Sequence, residues 1–209
     1  MTNTLSNEAA ALIGVLDHKA KASWLVELAN PDAKQAKGKL KQVQPGHPEY
    51  GGHCCLGLFA EKVAGCEVRT IVEENDVDVR GPDGLISTVV EEVIAETPMV
   101  LDPDLGRDIN SSELLDQRFA DRYGITGFVQ HILSHLNDGQ SLAYGRRSHP
   151  AEVEAVRFLL QDDVKEIEEL GGIGMSTVFS KWHCNCFTFA QIAKVVERIP
   201  ATPSEEIEA

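Results

Sequence analysis

The chain carries two adjacent cysteines at the start of an apolar helical pattern, directly after a glycine-rich loop. Within residues 52–61, Cys54 and Cys55 follow the glycines, and Leu56 and Phe59 continue one apolar helical face. The helix dipole favours the thiolate of a cysteine at a helix N-terminus, but cysteine is also among the most frequently buried residue types. The stretch therefore predicts a reactive centre or a core-packing helix. Packing is favoured, because no histidine lies at a spacing that ties it to Cys54.

Composition excludes several classes of protein. The chain has 33 acidic and 19 basic residues and a formal net charge of -14, so its surface repels phosphates and no nucleic acid partner is expected. No run approaches the roughly 18 apolar residues of a membrane span, and the N-terminus lacks the basic and apolar regions of a secretory signal. Five cysteines, an odd number, do not indicate a disulfide framework. We therefore expect a cytoplasmic protein with reduced thiols and no membrane partner.

Hydrophobic periodicity predicts an α+β fold, a helix-dominated single domain over residues 1–200 with a small antiparallel sheet. Helices are expected at about residues 6–30 (one or two), 55–64, 111–123, 126–137, 150–170 and 188–199. A loop or hairpin is expected over 31–52, and β-branched runs between 67 and 90 predict a hairpin or meander. Residues 98–110 read as irregular and 139–150 as a polar loop. The last helix begins with a capping box, Thr188-x-x-Gln191. Residues 201–209 are expected to be a disordered acidic tail.

Several short motifs occur in a particular order along the chain. They are a Trp-x-x-x-Leu segment at Trp24, Lys34-Gln35-x-Lys37-Gly38-x-Leu40, Cys54-Cys55-Leu56-Gly57, Leu136-Asn137-Asp138 and a closing helix that starts around Phe187. Together they resemble a family of small, uncharacterised proteins found mainly in bacteriophage genomes. The family-like core covers residues 20–65, 126–138 and 187–199, and about 66–110 and 139–186 are insertions relative to it. The family has no established activity, so the resemblance implies a phage origin and a fold core but no reaction.

Basic residues in glycine-containing loops are the first candidate site. Arg146 and Arg147 precede the predicted helix that starts at Pro150, and a helix N-terminus with two arginines suits a phosphate group. The lysine-rich loop around residues 34–41 is the second basic cluster, and local basic clusters are informative in so acidic a chain. The predicted ligand-binding residues are Lys34, Gln35, Lys37, Arg146 and Arg147. Solvated surface lysines are the ordinary alternative.

Metal sites are the second candidate. Cys54, Cys55, Cys184 and Cys186, with the imidazoles of His53 and His183, offer ligands that suit zinc. Neither half has the Cys-x2-4-Cys spacing of zinc sites, so no metal or cofactor is expected.

A histidine pair offers a different metal geometry. His131, His135 and Asp138 lie at i, i+4 and i+7 of one helix. The glutamate of a His-Glu-x-x-His metalloprotease is missing, because Ile132 follows His131. A solvated histidine pair is the favoured interpretation.

Three functions remain open from the sequence. The first is a phage-type cytosolic accessory protein that binds a host-derived anionic small molecule, such as a nucleotide, or a host protein. The second is a thiol- or metal-dependent hydrolase that uses Cys54 or the histidine pair. The third is a structural or interaction module that oligomerises through the predicted helix over 150–170.

Overall fold

The structure is a computed structural model that describes residues 5–44, 47–80, 86–104, 109–111, 114–145, 148–161, 163–170 and 178–204. The helices are α1 (Asn7–Ile13), α2 (His18–Ala29), α3 (Cys55–Leu58) with a π-helical turn (Phe59–Val63), α4 (Gln117–Asp121), α5 (Gly127–Asp138), α6 (Pro150–Leu160) and α7 (Phe189–Arg198). The strands are β1 (Lys41–Gln44), β2 (His47–His53), β3 (Glu67–Arg80), β4 (Ile86–Leu101), β5 (Asn110–Ser111), β6 (Leu114–Leu115), β7 (Leu142–Gly145), β8 (Lys165–Leu170) and β9 (Val178–His183).

The predicted α+β class is confirmed. In the part of the chain that is described, the strands form four separate antiparallel sheets: the pairs β1–β2, β3–β4 and β5–β6, and a three-stranded sheet in the order β7-β9-β8. The expected hairpins at 31–52 and after residue 67 are β1–β2 and β3–β4. Among the described helices, none is long and apolar enough to cross a bilayer.

The core lies between helices from both ends of the chain. The amphipathic helix α5 packs against α1, α3 and α7, and all four contribute to one cluster of buried apolar side chains. Trp24 of α2 is fully buried. Its ring packs edge-to-face with that of Phe59, with the ring centroids 4.9 Å apart. Its indole nitrogen donates to the Cys55 carbonyl at 3.2 Å. The Cys-Cys-Leu-Gly element is therefore fixed against α2 from one side and α5 from the other.

The first predicted helix is two helices. Ser6 caps α1 by accepting from the amide of Ala9, and Gly14 ends the helix with φ +73°. Beyond Gly14, Leu16 pairs with Ala201, and its carbonyl accepts from the amide of Thr202 at 2.9 Å. The first residues of the expected disordered tail are thus paired with the start of the chain, and residues 205–209 lie outside the described residues.

The predicted helix over 150–170 is wrong in its second half. α6 ends at Leu160, where Gln161 takes φ +47°, and residues 165–170 instead form β8, antiparallel to β9. The sequence Lys165-Glu-Ile-Glu-Glu-Leu170 is rich in good helix formers, but it forms the edge strand of the sheet and hydrogen-bonds to β9. The helix expected to mediate oligomerisation therefore covers only Pro150–Leu160, and the oligomer itself stays a prediction. The segment 139–150, which was expected to be a polar loop, contains β7, and β7 also pairs with β9.

Two other boundaries differ from expectation. The predicted helix over 111–123 starts only at Gln117, because Asp116 is its cap and accepts from the amides of Arg118 and Phe119. Residues 110–111 and 114–115 before it are a short strand pair. The stretch expected to be irregular from residue 98 continues β4 as far as Leu101. By contrast, Thr188 and Gln191 form the predicted capping box of α7.

Candidate functional site

Segments that are far apart in sequence meet at the side chain of Asn137, near the end of α5. Asn137 is fully buried. Its amide nitrogen donates to the carbonyl of Ala36 at 2.7 Å, and its amide oxygen accepts from the backbone nitrogen of Cys55 at 3.3 Å and from Nε2 of Gln35 at 3.0 Å. Gln35 Nε2 also donates to the carbonyl of Phe187 at 2.6 Å. One asparagine thus joins segments that lie about a hundred residues apart in sequence, and we call this cluster the Asn137 junction.

The next residue extends the Asn137 junction toward the surface. Asp138 Oδ1 accepts from the backbone nitrogen of Gly38 and from Asn137 Nδ2, both at 2.9 Å. Gly139 follows with φ +72°, and a Cβ there would lie 2.8 Å from the sulfur of Cys186. A hydrogen bond to Cys186 raises the pKa of the exposed Lys37. The Leu-Asn-Asp motif therefore serves first to connect the lysine loop, α5 and the segment before α7.

The paired thiols lie inside the core. Cys54 and Cys55 are 4% and 0% exposed. Cys54 Sγ caps α3 by accepting from the amide of Gly57 at 3.3 Å, and Cys55 Sγ donates to the carbonyl of Leu133 at 3.6 Å. A hydrogen bond from the Cys55 thiol, together with those from the Gly57 and Leu56 amides, lowers the pKa of Cys54. Burial opposes this effect at Cys54 but does not overcome it. At Cys55 burial dominates and raises the pKa.

The neighbouring histidine does not serve Cys54 as a base. In the described hydrogen-bond network, the ring of His53 bonds Glu61 at 2.7 Å, and the described partners of the Cys54 sulfur are the amides of Gly57 and Leu56 and the Cys55 thiol. A buried thiol without an imidazole beside it lacks the geometry of a thiol hydrolase. The core-packing interpretation of the Cys-Cys-Leu-Gly element is the one that matches this arrangement.

A polar cleft of about 320 Å³ opens beside the Cys-Cys-Leu-Gly helix. Its lining comes from the end of α2 and the loop after it, from β2, and from α3 with the π-helical turn. The lining residues are Glu27, Asn30, Asp32, Ala33, Lys34, Gly51, His53, Leu58 and Lys62. We call it the α2–hairpin cleft.

Backbone pairing fixes two walls of the α2–hairpin cleft. The amide of His53 donates to the carbonyl of Lys34 at 2.9 Å, and the amide of Ala36 donates to the carbonyl of His53 at 2.7 Å. Gly52 permits this approach, since a Cβ there would lie 2.7 Å from the Lys34 carbonyl oxygen. The backbones that carry Lys34 and His53 are therefore held together before any ligand arrives.

A charge network stands behind the α2–hairpin cleft. Glu61 Oε2 lies 2.7 Å from both His53 Nε2 and Lys41 Nζ, and its Oε1 lies 2.9 Å from Lys62 Nζ. The hydrogen bond from His53, with those from Lys41 and Lys62, holds the pKa of Glu61 well below its usual range despite partial burial. Two ammonium groups share one carboxylate, so the network keeps one positive charge in excess even when His53 is neutral.

The predicted ligand-binding residues fall in different places. Lys34 lines the α2–hairpin cleft. Gln35 uses its amide nitrogen within the Asn137 junction, and Lys37 lies beside Cys186 at the edge of that junction. Arg146 and Arg147 lie outside the described residues.

Among the described side chains, the cysteines proposed for zinc have different surroundings. Cys184 Sγ donates to the carbonyl of Gln140 at 3.3 Å, whereas Cys55 bonds Leu133 within the core. In the part of the chain that the structure describes, no group of three or more histidine, cysteine, aspartate or glutamate side chains could hold a metal ion. Asp138 is also not poised beside the histidine pair as a ligand, because its Oδ1 accepts two hydrogen bonds within the junction.

Sequence reasoning missed Lys62, which lines the α2–hairpin cleft, and Glu61, which pairs with it behind the cleft. Glu61 and Lys62 follow an apolar helical run and look like an ordinary solvated pair in sequence. Their role depends on Lys41 and His53, which reach them through the hairpin. The π-helical turn at Phe59–Val63 is a further signal, since such turns occur often at functional sites, but the sequence does not reveal it.

Comparison with protein-family models, curated proteins and solved structures finds no match for this chain.

Proposed function

We propose that the protein binds a small anionic ligand, of the mononucleotide class, in the α2–hairpin cleft. One observation carries the proposal: Lys34, His53 and Lys62 come from three different elements and line the same cleft. In a chain of net charge -14, the lining is locally balanced, because Lys34 and Lys62 offset the carboxylates of Glu27 and Asp32. Charged and polar groups converging on a preformed cleft are the usual mark of a ligand site.

The charged residues that line the cleft favour anions that also carry hydrogen-bond donors. Glu27 and Asp32 line the cleft together with the cationic residues, so the ligand needs hydrogen-bond donors as well as a negative group. A nucleotide has both, because its phosphate can meet the lysines while its hydroxyl or amino groups meet the carboxylates. A volume of about 320 Å³ is near the lower end of the range for ligand pockets, which favours a mononucleotide over a dinucleotide.

The network at Glu61 supports the same function by preorganisation. Because Glu61 bonds both Lys62 and His53, these two lining residues are oriented before binding. Prior ordering lowers the entropic cost of association. The resemblance to phage proteins supports an accessory role in the cytoplasm of an infected host cell, with the ligand derived from the host.

A thermal-shift panel of nucleoside mono-, di- and triphosphates tests the proposal. A ligand present at a hundred times its Kd stabilises the folded state by about 2.7 kcal/mol, which corresponds to a Tm increase of about 5–10 °C for a chain of this size. We expect Lys34→Ala and Lys62→Ala each to weaken binding by about tenfold or more, since each removes a charged hydrogen-bond donor.

Two matched variants complete the experiment. Lys39→Ala removes an exposed lysine from the same loop without touching the cleft and should keep the wild-type affinity. Arg146→Ala tests the arginine loop separately. No stabilisation by any phosphate-bearing ligand contradicts the proposed function, and binding that depends on Arg146 but not on Lys34 or Lys62 moves the site away from the cleft.

A further inference from the structure

Two histidines stack on α5, away from the residues that line the α2–hairpin cleft. His131 and His135 are one helical turn apart, and their ring centroids lie 4.0 Å from each other with the planes tilted by 49°. Thr126 caps the N-terminus of α5, and Gly139 ends the helix in a left-handed conformation. The helix therefore presents the two imidazoles from a fixed backbone.

One ring nitrogen of the pair lacks a partner. His135 Nδ1 is buried and, among the described residues, has no hydrogen-bond partner. A buried polar atom without a partner is costly and calls for an explanation such as a missing water or ion. His131 is exposed on the same turn, so an ion can approach the pair from solvent.

We propose that His131 and His135 bind a divalent transition-metal ion of the Ni²⁺, Cu²⁺ and Zn²⁺ class. Two histidines at i and i+4 can share one metal, as they do in helical zinc motifs, and imidazole suits these three ions. The remaining coordination positions belong to water, because Asp138, the next acidic residue on this face, is engaged with Gly38 and Asn137. The site does not rest on the function proposed for the cleft.

The proposed site makes the affinity for the ion depend on pH. Only a neutral imidazole binds a metal. Binding should weaken as the pH falls and the rings take up protons.

Calorimetric titration with Ni²⁺ alone tests the proposal on the whole chain. We expect one ion per chain for the wild type. His131→Ala and His135→Ala should each raise the Kd by at least about tenfold, since even a residue that only orients a ligand costs that much. His18→Ala, at the start of α2, should leave the Kd unchanged. Circular dichroism establishes that each variant is folded.

The histidine ring signals in NMR provide a second readout that needs no variant. Substoichiometric Ni²⁺ should broaden the ring signals of His131 and His135 before those of the other five histidines. Three results overturn the proposal: no saturable binding by about 1 mM Ni²⁺, affinity that survives both substitutions, or broadening that begins at other histidines.

Discussion

Asn137 of α5 donates a 2.7 Å hydrogen bond from its side-chain amide to the backbone carbonyl of Ala36, across 101 residues of sequence. The same side chain accepts from the backbone nitrogen of Cys55, so one amide group satisfies two buried backbone groups. Backbone groups that are buried without partners destabilise a fold. The Asn137 junction therefore holds the lysine loop and α3 in the places from which they form the α2–hairpin cleft.

Removing that side chain should destabilise the whole domain. We expect Asn137→Ala to lower the free energy of unfolding by about 2–4 kcal/mol, because the Ala36 carbonyl and the Cys55 amide each lose a buried partner. Urea denaturation followed by circular dichroism measures the change. Asn185→Ala, an exposed asparagine close by in the fold, is the matched control. A loss below about 1 kcal/mol in Asn137→Ala would show that the junction is not stabilising.

Gly57 should tolerate no side chain. A Cβ at this position would lie 1.7 Å from the carbonyl oxygen of Leu40, which is backbone and cannot move aside without disturbing the hairpin. We expect Gly57→Ala to cost about 3 kcal/mol or more. At Gly127, in the first turn of α5, the nearest atom is the flexible end of Gln117 at 3.0 Å, so Gly127→Ala should change stability little. Equal effects of the two substitutions in urea denaturation would contradict this difference.

The Glu61 network predicts a specific loss of stability in acid. Because His53, Lys41 and Lys62 lower the pKa of Glu61 in the folded chain, the unfolded chain binds the proton more readily. The stabilisation is complete above the unfolded pKa of about 4.3 and disappears as the pH falls through the lower, folded value. The urea midpoint of the wild type should exceed that of Glu61→Gln at pH 7, and this difference should shrink below about pH 4.5. A difference in midpoint that stays constant from pH 7 to pH 3 would show that the ionised Glu61 network does not cause it.

Thiol labelling separates core packing from nucleophilic catalysis. Cys186 is partly exposed, and Cys54, Cys55, Cys66 and Cys184 are buried. We expect N-ethylmaleimide to modify Cys186 first in the native protein, with the other four modified only after unfolding. Mass spectrometry of the intact and digested protein measures the order, and Cys186→Ser should remove the fast phase. Labelling of Cys54 as fast as Cys186 would instead support an accessible thiol nucleophile.

Local signals predicted those parts of the fold that depend on neighbouring residues. The Thr188 and Gln191 capping box lies within a single helical turn, and the sequence places it correctly. The segment Lys165–Leu170 is a strand because it pairs with β9, which follows it in sequence. Helix propensity describes single residues and contains no information about such a partner.

In the candidate site too, local sequence predicts some residues, whereas others depend on tertiary contacts. Lys34 was predicted from its basic loop, but its meeting with His53 and Lys62 depends on hydrogen bonds between the loop and β2. No local pattern shows that the Asn137 side chain reaches the backbone of Ala36 and Cys55. Sequence therefore indicated one lysine of the cleft, and tertiary contacts bring His53 and Lys62 to it.

Chemical-shift mapping with the best-binding nucleotide from the thermal-shift panel tests the central claim most directly. Backbone amide signals of a ¹⁵N-labelled chain are followed during the titration. The account predicts that Ala33, Lys34, Gly51, His53 and Lys62, which line the α2–hairpin cleft, shift together with a single Kd, and that the shifts vanish in Lys34→Ala and Lys62→Ala. Saturable shifts confined to another part of the chain, or none with any nucleotide, would contradict it.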